Sequence, residues 1–322
     1  MSDLSRRSIC FIAGTLGQGG AERQLYYALR VLRQANARLR VVCLGQGEFW
    51  EPKIQDLGIR VIRVGYGKSR IARLVRIIKE ISADPPDLVQ SQHFYTNIYV
   101  SLAARWLRLR DIGAIRNDAL NEIKSVGGPL GKLCLAMPRM LAANSRNGLR
   151  NAIRQGVSPA RLFYLPNVVD TDVFRPEGPT HSGFFRIAAI GRLTRQKRFD
   201  RFLRCLAAAR REGGHGIQGI LAGDGPEDAS LKKQALDLGL LPDGIKFLGN
   251  VAEAQTVYHS ADALLSTSDW EGTPNVIMEA MACALPVVAT RVGGVEDLLT
   301  DGQTGLLKDS DDERGLSEAV LR

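Results

Sequence analysis

The stretch DWEGTPNVIMEA, residues 269–280, decides the fold because it leads from an apolar run into a helix through a short polar loop. One strand-like run precedes it (261–267) and another follows it (284–290), which gives the order strand, loop, helix, strand. Proline is favoured at the first helical position and threonine is a good N-cap. This predicts Thr273 as the N-cap and Pro274 as the first helical residue. Such alternation builds a parallel sheet.

Two glutamates of this stretch flank a predicted anion site. Ligands of open α/β sheets bind beyond the carboxyl ends of the strands, and the first N–H groups of a helix attract phosphate. Glu271 lies in the loop and Glu279 in the helix, where both can accept hydrogen bonds from hydroxyl groups. A sugar nucleotide has hydroxyls on both sides of a diphosphate and fits this pattern. The competing interpretation is two surface acids near a helix start, and neither acid is expected to belong to the core.

At this point the sequence resembles a known family. The segment EGTPNVIMEAMACALPVVATRVGGVEDLL is similar to the Glu-x7-Glu region of the retaining glycosyltransferases of family 4. The resemblance implies the GT-B fold, an α/β architecture of two Rossmann-like domains that face each other across a cleft. Further segments match in the same order along almost the whole chain: FIAGTLGQGGAERQ (11–24), PDLVQSQHFYTN (86–97), PNVVDTDVF (166–174), IGRLTRQKRFD (190–200), LAGDGPE (221–227) and KFLGNV (246–251).

The resemblance also implies how the chain is divided. We expect an N-terminal acceptor-binding domain over residues 1–166, a linker over 167–185 and a C-terminal nucleotide-sugar-binding domain over 186–322. A length of 322 residues suffices for two domains of about 150 residues each. In the family a last helix packs back on the N-terminal domain. The chain ends at Arg322, in a helix that has barely begun, so we expect that helix to be truncated.

Periodicity supports a doubly wound N-terminal half. Helical patterns alternate there with short apolar runs that begin with Ser8–Ala13, as expected for a parallel sheet with helices on both faces. The predicted helices are Ala21–Gln34, Ile71–Ala83, Asn97–Arg105 and Asn147–Gln155.

Two cations follow the apolar run FFRIAAIG and should lie at the end of a strand. Arginine can bind a diphosphate with two hydrogen bonds, and lysine acts as a point charge. The resemblance singles out Arg192 and Lys197 for this role, whereas Arg195 and Arg198 can be ordinary surface charges. The family usually has glycine directly after this lysine, where this chain has Arg198.

The resemblance assigns further roles in the C-terminal half. In the family the first glutamate meets the hydroxyls of the transferred sugar and the second meets the ribose, so Glu271 is predicted to be catalytic and Glu279 to bind the donor. Retention is generally explained there by front-face attack assisted by the leaving phosphate, which leaves positioning and electrostatic stabilisation to the protein. The other predicted donor-binding residues are Gly272, Thr273, Pro274, Asn275, Val276, Gly19 and Gly20.

The N-terminal half offers its own candidates. Gly19 and Gly20 end a loop in which the backbone can approach a sugar closely, and the loop lacks the Gly-x-Gly-x-x-Gly pattern of nicotinamide sites. His93 matches the family's histidine near the transferred sugar, although a lone histidine is more often structural. The predicted acceptor-side residues are Asn97, Arg116 and Asn117.

Charge is unevenly distributed between the halves. Residues 1–170 contain 26 Lys and Arg against 12 Asp and Glu, and residues 171–322 contain 17 against 22. The segment KSRIARLVRIIK, with Lys68, Arg70, Arg73, Arg76 and Lys79, predicts a basic amphipathic helix that can lie on anionic lipid. An ordinary helix with its apolar stripe in the core is the alternative. No nucleic-acid partner is expected.

Location and cofactors follow from what the sequence lacks. Five scattered cysteines without a Cys-x-x-Cys pair suggest buried thiols in a reducing cytoplasm, with peripheral contact at the inner face of the cytoplasmic membrane. The Asp-x-Asp pattern of Asp170 and Asp172 lies in the linker and not at a strand end. The resemblance implies that a helix N-terminus and Arg/Lys replace a metal, so we expect metal-independent transfer without a cofactor.

These observations predict one function and leave two alternatives. The prediction is transfer of a hexose or N-acetylhexosamine, with retention, from a UDP- or GDP-sugar to a glycan or lipid-linked acceptor in cell-surface polysaccharide or lipopolysaccharide synthesis. The alternatives are a GT-B nucleotide-sugar epimerase and a truncated, non-catalytic protein that binds nucleotide-sugars.

Overall fold

The computed structural model describes residues 4–65, 69–177 and 183–322. The chain separates into two compact units, with the boundary between Asn167 and Val168. Each unit contains one parallel sheet with helices packed against it, as the alternating pattern predicts.

Unit 1 is built on a sheet of seven parallel strands in the order β3-β2-β1-β4-β5-β6-β7. The order reverses direction at β1, so the loops after β1 and β4 meet at a topological switch point. The strands are β1 (Ser8–Ala13), β2 (Arg38–Cys43), β3 (Arg60–Arg63), β4 (Leu88–Ser91), β5 (Arg110–Ile115), β6 (Met140–Ala143) and β7 (Leu162–Tyr164). The helices are α1 (Gly20–Gln34), α2 (Trp50–Asp56), α3 (Arg70–Ser82), α4 (Asn97–Leu107), α5 (Ala119–Val126), α6 (Gly128–Ala136) and α7 (Arg146–Arg154).

The core of unit 1 lies on both faces of this sheet. Successive residues of a strand point to opposite faces. Accordingly Cys10 and Ile12 of β1 pack with α3 and α4, whereas Phe11 and Ala13 pack with α1 and α2.

The sequence patterns do not predict three helices of unit 1. Helix α2 (WEPKIQD) buries only Trp50 and Ile54 among its apolar residues, which is too few for a periodic signal. Helix α6 contains two glycines and a proline, which weaken any helical pattern. Helix α5 does have a start signal: the Asp118 carboxylate accepts hydrogen bonds from the N–H groups of Leu120 and Asn121, both at 3.0 Å.

Unit 2 contains six parallel strands in the order β10-β9-β8-β11-β12-β13. Its switch point lies between β8 and β11, the strands that precede the predicted cation loop and the predicted glutamate loop. The strands are β8 (Phe185–Ile190), β9 (Ile217–Ala222), β10 (Ile245–Gly249), β11 (Ala263–Ser266), β12 (Val287–Thr290) and β13 (Leu306–Lys308). The helices are α8 (Phe199–Gly213), α9 (Asp228–Asp237), α10 (Ala254–His259), α11 (Asn275–Ala282) and α12 (Glu313–Val320).

Two apolar clusters fill unit 2. On one face Ile187 and Ala189 of β8 pack with α8, α9 and α12, and on the other Ala188 packs with α10 and α11. The five cysteines are free, and all except Cys283 are buried. Within the described residues, none of the helices is both long enough and apolar enough to cross a membrane.

Candidate functional site

The loop after β11 carries a buried carboxylate that is held on one oxygen by two donors. The carboxylate belongs to Glu271, a residue only 6% exposed. Its Oε1 lies 2.5 Å from the Lys197 ammonium and accepts a hydrogen bond of 2.7 Å from the Ser268 hydroxyl. The structure therefore brings together Glu271 and Lys197, which are far apart in sequence, in one ion pair.

The loop after β8 supplies the lysine and is tied to the glutamate loop. Lys197 ends a single 3-10 turn, Arg195–Lys197. Beside it the Gln196 amide donates to the Trp270 carbonyl at 2.8 Å, and the Gln196 carbonyl accepts from the Asp269 N–H at 2.9 Å. Because β8 and β11 are neighbours in the sheet, these two loops form one surface at its carboxyl edge.

Arg198 occupies the position where the resemblance predicts glycine. Its backbone is left-handed, with φ 50° and ψ 45°, a conformation in which glycine is favoured. The guanidinium binds the Asp200 carboxylate through Nε at 2.9 Å and Nη2 at 3.0 Å, and it reaches Asp269 at 3.1 Å. Hydrogen bonding to Asp200 raises the pKa of Arg198. Two carboxylates thus hold an arginine in a backbone conformation that is costly for a residue with a Cβ.

Arg192 differs from its neighbours in the same loop. Its side chain is exposed. Within residues 4–65, 69–177 and 183–322, no hydrogen bond or ion pair engages its guanidinium. Arg192 is therefore a cation at the carboxyl edge of β8 that remains available to an anion.

Helix α11 begins one residue later than predicted. Pro274 is the N-cap, with an extended ψ of 115°, and Asn275 is the first helical residue. The Pro274 carbonyl accepts the first helical hydrogen bond, from the Ile277 N–H at 3.3 Å. The prediction of Thr273 as N-cap is wrong because the fixed φ of proline also suits the extended N-cap position. Thr273 is instead buried in the loop.

Glu279 projects from the second turn of α11 into a buried environment. The residue is 4% exposed, and its Oε2 accepts a hydrogen bond of 2.8 Å from the Tyr258 hydroxyl. The expectation that neither glutamate belongs to the core is therefore wrong. Both carboxylates are largely shielded from water and are oriented by side chains of other elements.

A close backbone contact fixes the position of Glu271. Gly293, in the turn after β12, has a left-handed φ of 54°, and a Cβ built on it would lie 2.0 Å from the Glu271 carbonyl oxygen. The next residue, Gly294, donates its N–H to the Gly272 carbonyl at 3.0 Å. The turn after β12 can support the glutamate loop only because residue 293 has no side chain.

In unit 1 the predicted histidine is engaged at both ring nitrogens. The Nδ1 atom of His93 accepts from the Gly14 N–H at 3.1 Å, which places the proton on Nε2. That nitrogen donates to Glu22 Oε1 at 3.0 Å. Glu22 belongs to the first turn of α1, which begins at Gly20. Gly19 makes room for it, because a Cβ on Gly19 would lie 2.2 Å from Glu22 Oε2.

Two charged side chains near the end of β5 have buried atoms that are incompletely satisfied: Arg116 follows the strand directly, and Glu122 lies in the first turn of α5. Among the described residues, Arg116 Nε and Glu122 Oε2 are buried atoms without a hydrogen-bond partner. Burial raises the pKa of Glu122 to about 8, and burial lowers the pKa of Arg116 to about 10. The Arg116 guanidinium lies 3.5 Å from Gln92 Oε1, at the end of β4.

The other two acceptor-side candidates make local contacts. Asn97 is fully buried. Its amide nitrogen donates to the carbonyls of Ala114 and Cys134, both at 3.1 Å, and its oxygen accepts from the Ala114 N–H at 2.8 Å. These bonds join α4, β5 and α6, so the structure places Asn97 in the core and not at a ligand surface. The Asn117 oxygen accepts from the next residue's N–H at 2.8 Å.

Sequence reasoning missed four residues that orient the predicted ones. Ser268 and Tyr258 contact the two glutamates, and Glu22 and Gln92 contact His93 and Arg116. Glu22 stands directly beside the glycine loop in GGAER and could have been found there. Tyr258 precedes Glu279 by 21 residues and gave no local signal. In the described part of the chain, no group of three or more His, Cys, Asp or Glu side chains is arranged to hold a metal ion.

Comparison with known proteins identifies the class. The family model described as Glycosyltransferase Family 4 matches residues 18–173, and the model described as Glycosyl transferases group 1 matches residues 185–322. The chain belongs to glycosyltransferase family 4 and has the GT-B fold. The resemblance and the fold predicted from the sequence are thereby confirmed.

Two curated relatives match over about half of this chain. A phosphatidylinositol N-acetylglucosaminyltransferase component of Arabidopsis thaliana is 31% identical over 52% of the chain. The GDP-mannose-dependent alpha-(1-6)-phosphatidylinositol monomannoside mannosyltransferase of Mycolicibacterium smegmatis is 32% identical over 50% of the chain. The aligned regions span only 38% and 46% of the lengths of these two relatives.

Other similarities extend over nearly the whole chain. The lipopolysaccharide core biosynthesis glycosyltransferase LpsD of Rhizobium meliloti is 22% identical over 95% of this chain and 84% of its own length. Among solved structures, Anabaena Alr3699/HepE in complex with UDP-glucose has a TM-score of 0.87 at 20% identity, covering 98% of this chain and 89% of its own. At this identity the structural similarity establishes the fold alone.

Proposed function

We propose that this protein transfers a hexose or N-acetylhexosamine, with retention of the anomeric configuration, from a nucleotide-sugar to a glycan or lipid-linked acceptor in cell-surface polysaccharide synthesis. UDP- and GDP-sugars are the proposed donors. The proposal is supported by family membership and by the names of the relatives, which include an N-acetylglucosaminyltransferase, a GDP-mannose-dependent enzyme and a lipopolysaccharide core enzyme.

The observation that carries the proposal is the ion pair between Lys197 and Glu271. A cation and a hydroxyl acceptor lie 2.5 Å apart at the carboxyl edge of the sheet. A ligand that engages both needs an anion and hydroxyls on neighbouring atoms, which a sugar 1-diphosphate provides. Arg192 adds a second cation to the same loop, and α11 directs its N-terminus towards the same edge. In this arrangement Lys197 and Arg192 hold the diphosphate while Glu271 holds the sugar.

The environment of His93 supports a mechanism that does not use this histidine as a general base. Nδ1 accepts from Gly14 and the Nε2 proton is directed to Glu22, so neither nitrogen offers a free lone pair to an acceptor hydroxyl. In front-face transfer the departing phosphate oxygen takes that proton, and the protein stabilises the charge of the diphosphate. His93 then orders the glycine loop of unit 1 through its contacts with Gly14 and Glu22.

Metal-independent transfer is part of the proposal. Cations and a helix N-terminus can take over the neutralisation of a diphosphate that Mg²⁺ provides in other enzymes. Transfer rates should be unchanged by excess EDTA. A rate that falls with EDTA and recovers with Mg²⁺ or Mn²⁺ would contradict this part of the proposal.

A ligand panel tests the donor directly. UDP, GDP, ADP and their glucose, N-acetylglucosamine and mannose conjugates are added in a thermal-shift assay. A nucleotide at 100 times its Kd should stabilise the protein by about 2.7 kcal/mol. NMR of the product formed from the best donor gives the anomeric configuration. The function fails if none of the nucleotides binds, and retention fails if the product is inverted.

Two alternatives make different predictions in the same assays. A GT-B epimerase would convert or hydrolyse the nucleotide-sugar without an acceptor. A non-catalytic binding protein would be stabilised by a nucleotide-sugar but would release no sugar with any acceptor.

Helix α3 supports a peripheral membrane contact. Ile77 and Ile81 belong to the core of unit 1, but Ile71 and Val75 are 75% and 59% exposed on the same helix. Arg70, Arg76 and Lys79 are exposed as well, whereas Lys68 lies outside the described residues. Two exposed apolar side chains among cations suit an anionic lipid surface.

A flotation experiment with a matched control tests this contact. We expect the wild type to float with vesicles rich in phosphatidylglycerol and not with neutral ones, and Ile71→Ser with Val75→Ser to abolish flotation. Leu236→Ser, which changes a residue 64% exposed in unit 2, should have no effect. Equal flotation with neutral and anionic vesicles would contradict the proposal.

A further inference from the structure

Tyr258 is a buried tyrosine whose hydroxyl contacts a carboxylate of the proposed donor site. It lies near the end of α10 and is only 1% exposed. Its ring packs edge-on against Phe174, with the ring centroids 6.0 Å apart and an interplanar angle of 71°. A buried tyrosine hydroxyl requires a hydrogen-bond partner. It donates to Glu279 Oε2 at 2.8 Å.

The contact with Tyr258 fixes the orientation of the Glu279 carboxylate, which a glutamate side chain does not fix by itself. The last torsion of glutamate has a broad energy profile, so the plane of the carboxylate is poorly fixed by the side chain itself. An ionised carboxylate accepts hydrogen bonds at both oxygens. When one oxygen is held by a rigid donor, the direction of the other oxygen is fixed as well. The Tyr258 ring is rigid because Phe174 and the surrounding apolar core enclose it.

We propose that Tyr258 is a positioning residue for nucleotide recognition: its hydroxyl orients the Glu279 carboxylate so that Oε1 receives the hydroxyls of the donor ribose. This inference rests on the proposed function, in which Glu279 binds ribose. Beyond that function, the inference assigns a role to a residue on another helix, α10. It also predicts that the site prefers ribonucleotides to nucleotides that lack these hydroxyls.

The inference differs from a packing role in what it predicts for different ligands. If Tyr258 only stabilises unit 2, its loss weakens the binding of all nucleotides by the same factor. If it orients Glu279, its loss weakens only the part of binding that depends on the ribose hydroxyls. The ratio of two dissociation constants therefore separates the two roles, because a general loss of stability cancels in the ratio.

The experiment uses the full chain and isothermal titration with UDP and 2′,3′-dideoxy-UDP, and with the corresponding guanine nucleotides. For the wild type we expect the ribonucleotide to bind about 10-fold more tightly or better, as a hydrogen bond to a charged group allows. Tyr258→Phe should reduce this ratio to about 3-fold or less and leave the affinity for the dideoxy nucleotide unchanged. Tyr258→His, whose ring can still donate, should recover part of the ratio.

Two controls link the effect to Glu279. Glu279→Gln should reduce the ratio by itself, and the double variant with Tyr258→Phe should reduce it no further, because both changes act on one contact. Tyr26→Phe, a change in unit 1, should leave the ratio at its wild-type value. Circular dichroism at the titration temperature verifies that each variant is folded.

The outcomes separate this inference from the function on which it rests. If Tyr258→Phe weakens both nucleotides equally, or leaves the ratio at its wild-type value, the inference is overturned while the donor site stands. A wild type that binds UDP or GDP without regard to the ribose hydroxyls also overturns it. A wild type that binds neither nucleotide overturns the proposed function and the inference together.

Discussion

The carboxyl edges of the two sheets hold their charges in different ways. In unit 2 two ion pairs lie at this edge, Lys197 with Glu271 and Arg198 with Asp200, beside the exposed guanidinium of Arg192. In unit 1 Arg116 and Glu122 have buried atoms without partners, and burial raises the pKa of Glu122 to about 8. The comparison indicates that the edge of unit 2 has preorganised charges, as the proposed diphosphate ligand requires, whereas the edge of unit 1 keeps a proton that it can lose at about pH 8.

The largest loss of stability is expected at Gly293, where the edge of unit 2 depends on a close contact with the Glu271 backbone. Gly293→Ala places a Cβ 2.0 Å from the Glu271 carbonyl oxygen at a left-handed φ of 54°. The conformation costs about 1–2 kcal/mol, and forcing an atom into a packed region adds about 1–3 kcal/mol. We expect the free energy of unfolding, measured in urea, to fall by about 2–5 kcal/mol and donor binding to weaken.

A second glycine separates the cost of the left-handed backbone from the cost of the close contact. Gly302 also has a positive φ, 73°, but a Cβ there would meet nothing within 4 Å. Gly302→Ala should therefore lose only about 1–2 kcal/mol and bind donor normally. Equal effects of the two substitutions would show that the glutamate loop does not depend on its contact with Gly293.

The second-largest effect is expected on the transfer rate, when Glu271 loses its charge. Glu271→Gln keeps the shape and removes the charge that faces Lys197 and the proposed sugar. A hydrogen bond to a charged group contributes about 1.5–3 kcal/mol, which corresponds to a roughly 10- to 150-fold lower kcat. Steady-state transfer kinetics measure this change, and the donor KM should move less than kcat.

A matched acid in the same unit provides the control. Glu212, near the end of α8, is exposed, and Glu212→Gln should leave transfer unchanged. Wild-type kinetics for Glu271→Gln would remove the chief physical support for the proposed glycosyl transfer.

The sequence predicted the scaffold of this edge better than its contacts. The apolar runs and the Thr-Pro step place Glu271 in a loop and Glu279 in a helix, because strand and helix periodicities are local properties. The partners of these glutamates depend on strand order. Lys197 meets Glu271 only because β8 and β11 are neighbours in the sheet, and local periodicity does not determine that order. For the same reason the prediction of Asn97 at an acceptor surface missed its bonds to β5 and α6.

Glu122, at the edge of unit 1, should make the free energy of unfolding depend on pH. Burial raises the pKa of Glu122 from 4.5 to about 8, so between these values the folded chain keeps a proton that the unfolded chain has released. The unfolded state then binds fewer protons, and the free energy of unfolding falls as pH rises through this window. Above about pH 8 both states are ionised and the contribution stays lost.

Removing the titrating group tests this directly. Urea unfolding of the wild type, Glu122→Gln and Glu212→Gln is measured at intervals from pH 5 to 8. We expect the stability of Glu122→Gln relative to the wild type to increase with pH, whereas Glu212→Gln follows the wild type. Parallel pH curves for all three proteins would mean that the unit 1 edge holds no such proton.

The smallest effect is expected at Arg198, where two opposing terms nearly cancel. Arg198→Gly relieves a left-handed conformation that costs about 1–2 kcal/mol, but glycine gives back about 0.4–1 kcal/mol through the greater freedom of the unfolded chain. The variant also loses ion pairs to Asp200 and Asp269, each about 0.2–1 kcal/mol because these side chains are partly exposed. At the midpoints of these ranges the net change in the free energy of unfolding lies within about 1 kcal/mol of zero.

Arg198→Ala separates the backbone term from the ion-pair term. Alanine loses the same ion pairs as glycine, but its Cβ keeps the cost of the left-handed backbone conformation. It should be less stable than Arg198→Gly by the conformational term, roughly 1 kcal/mol. High salt should lower the stability of the wild type relative to both variants, since it screens exposed pairs that only the wild type has, but it should leave the difference between the glycine and alanine variants unchanged. If alanine is as stable as glycine at this position, the left-handed backbone relaxes without Arg198. In that case Asp200 and Asp269 fix only the side chain of Arg198, and they do not fix the backbone of the loop that carries Lys197.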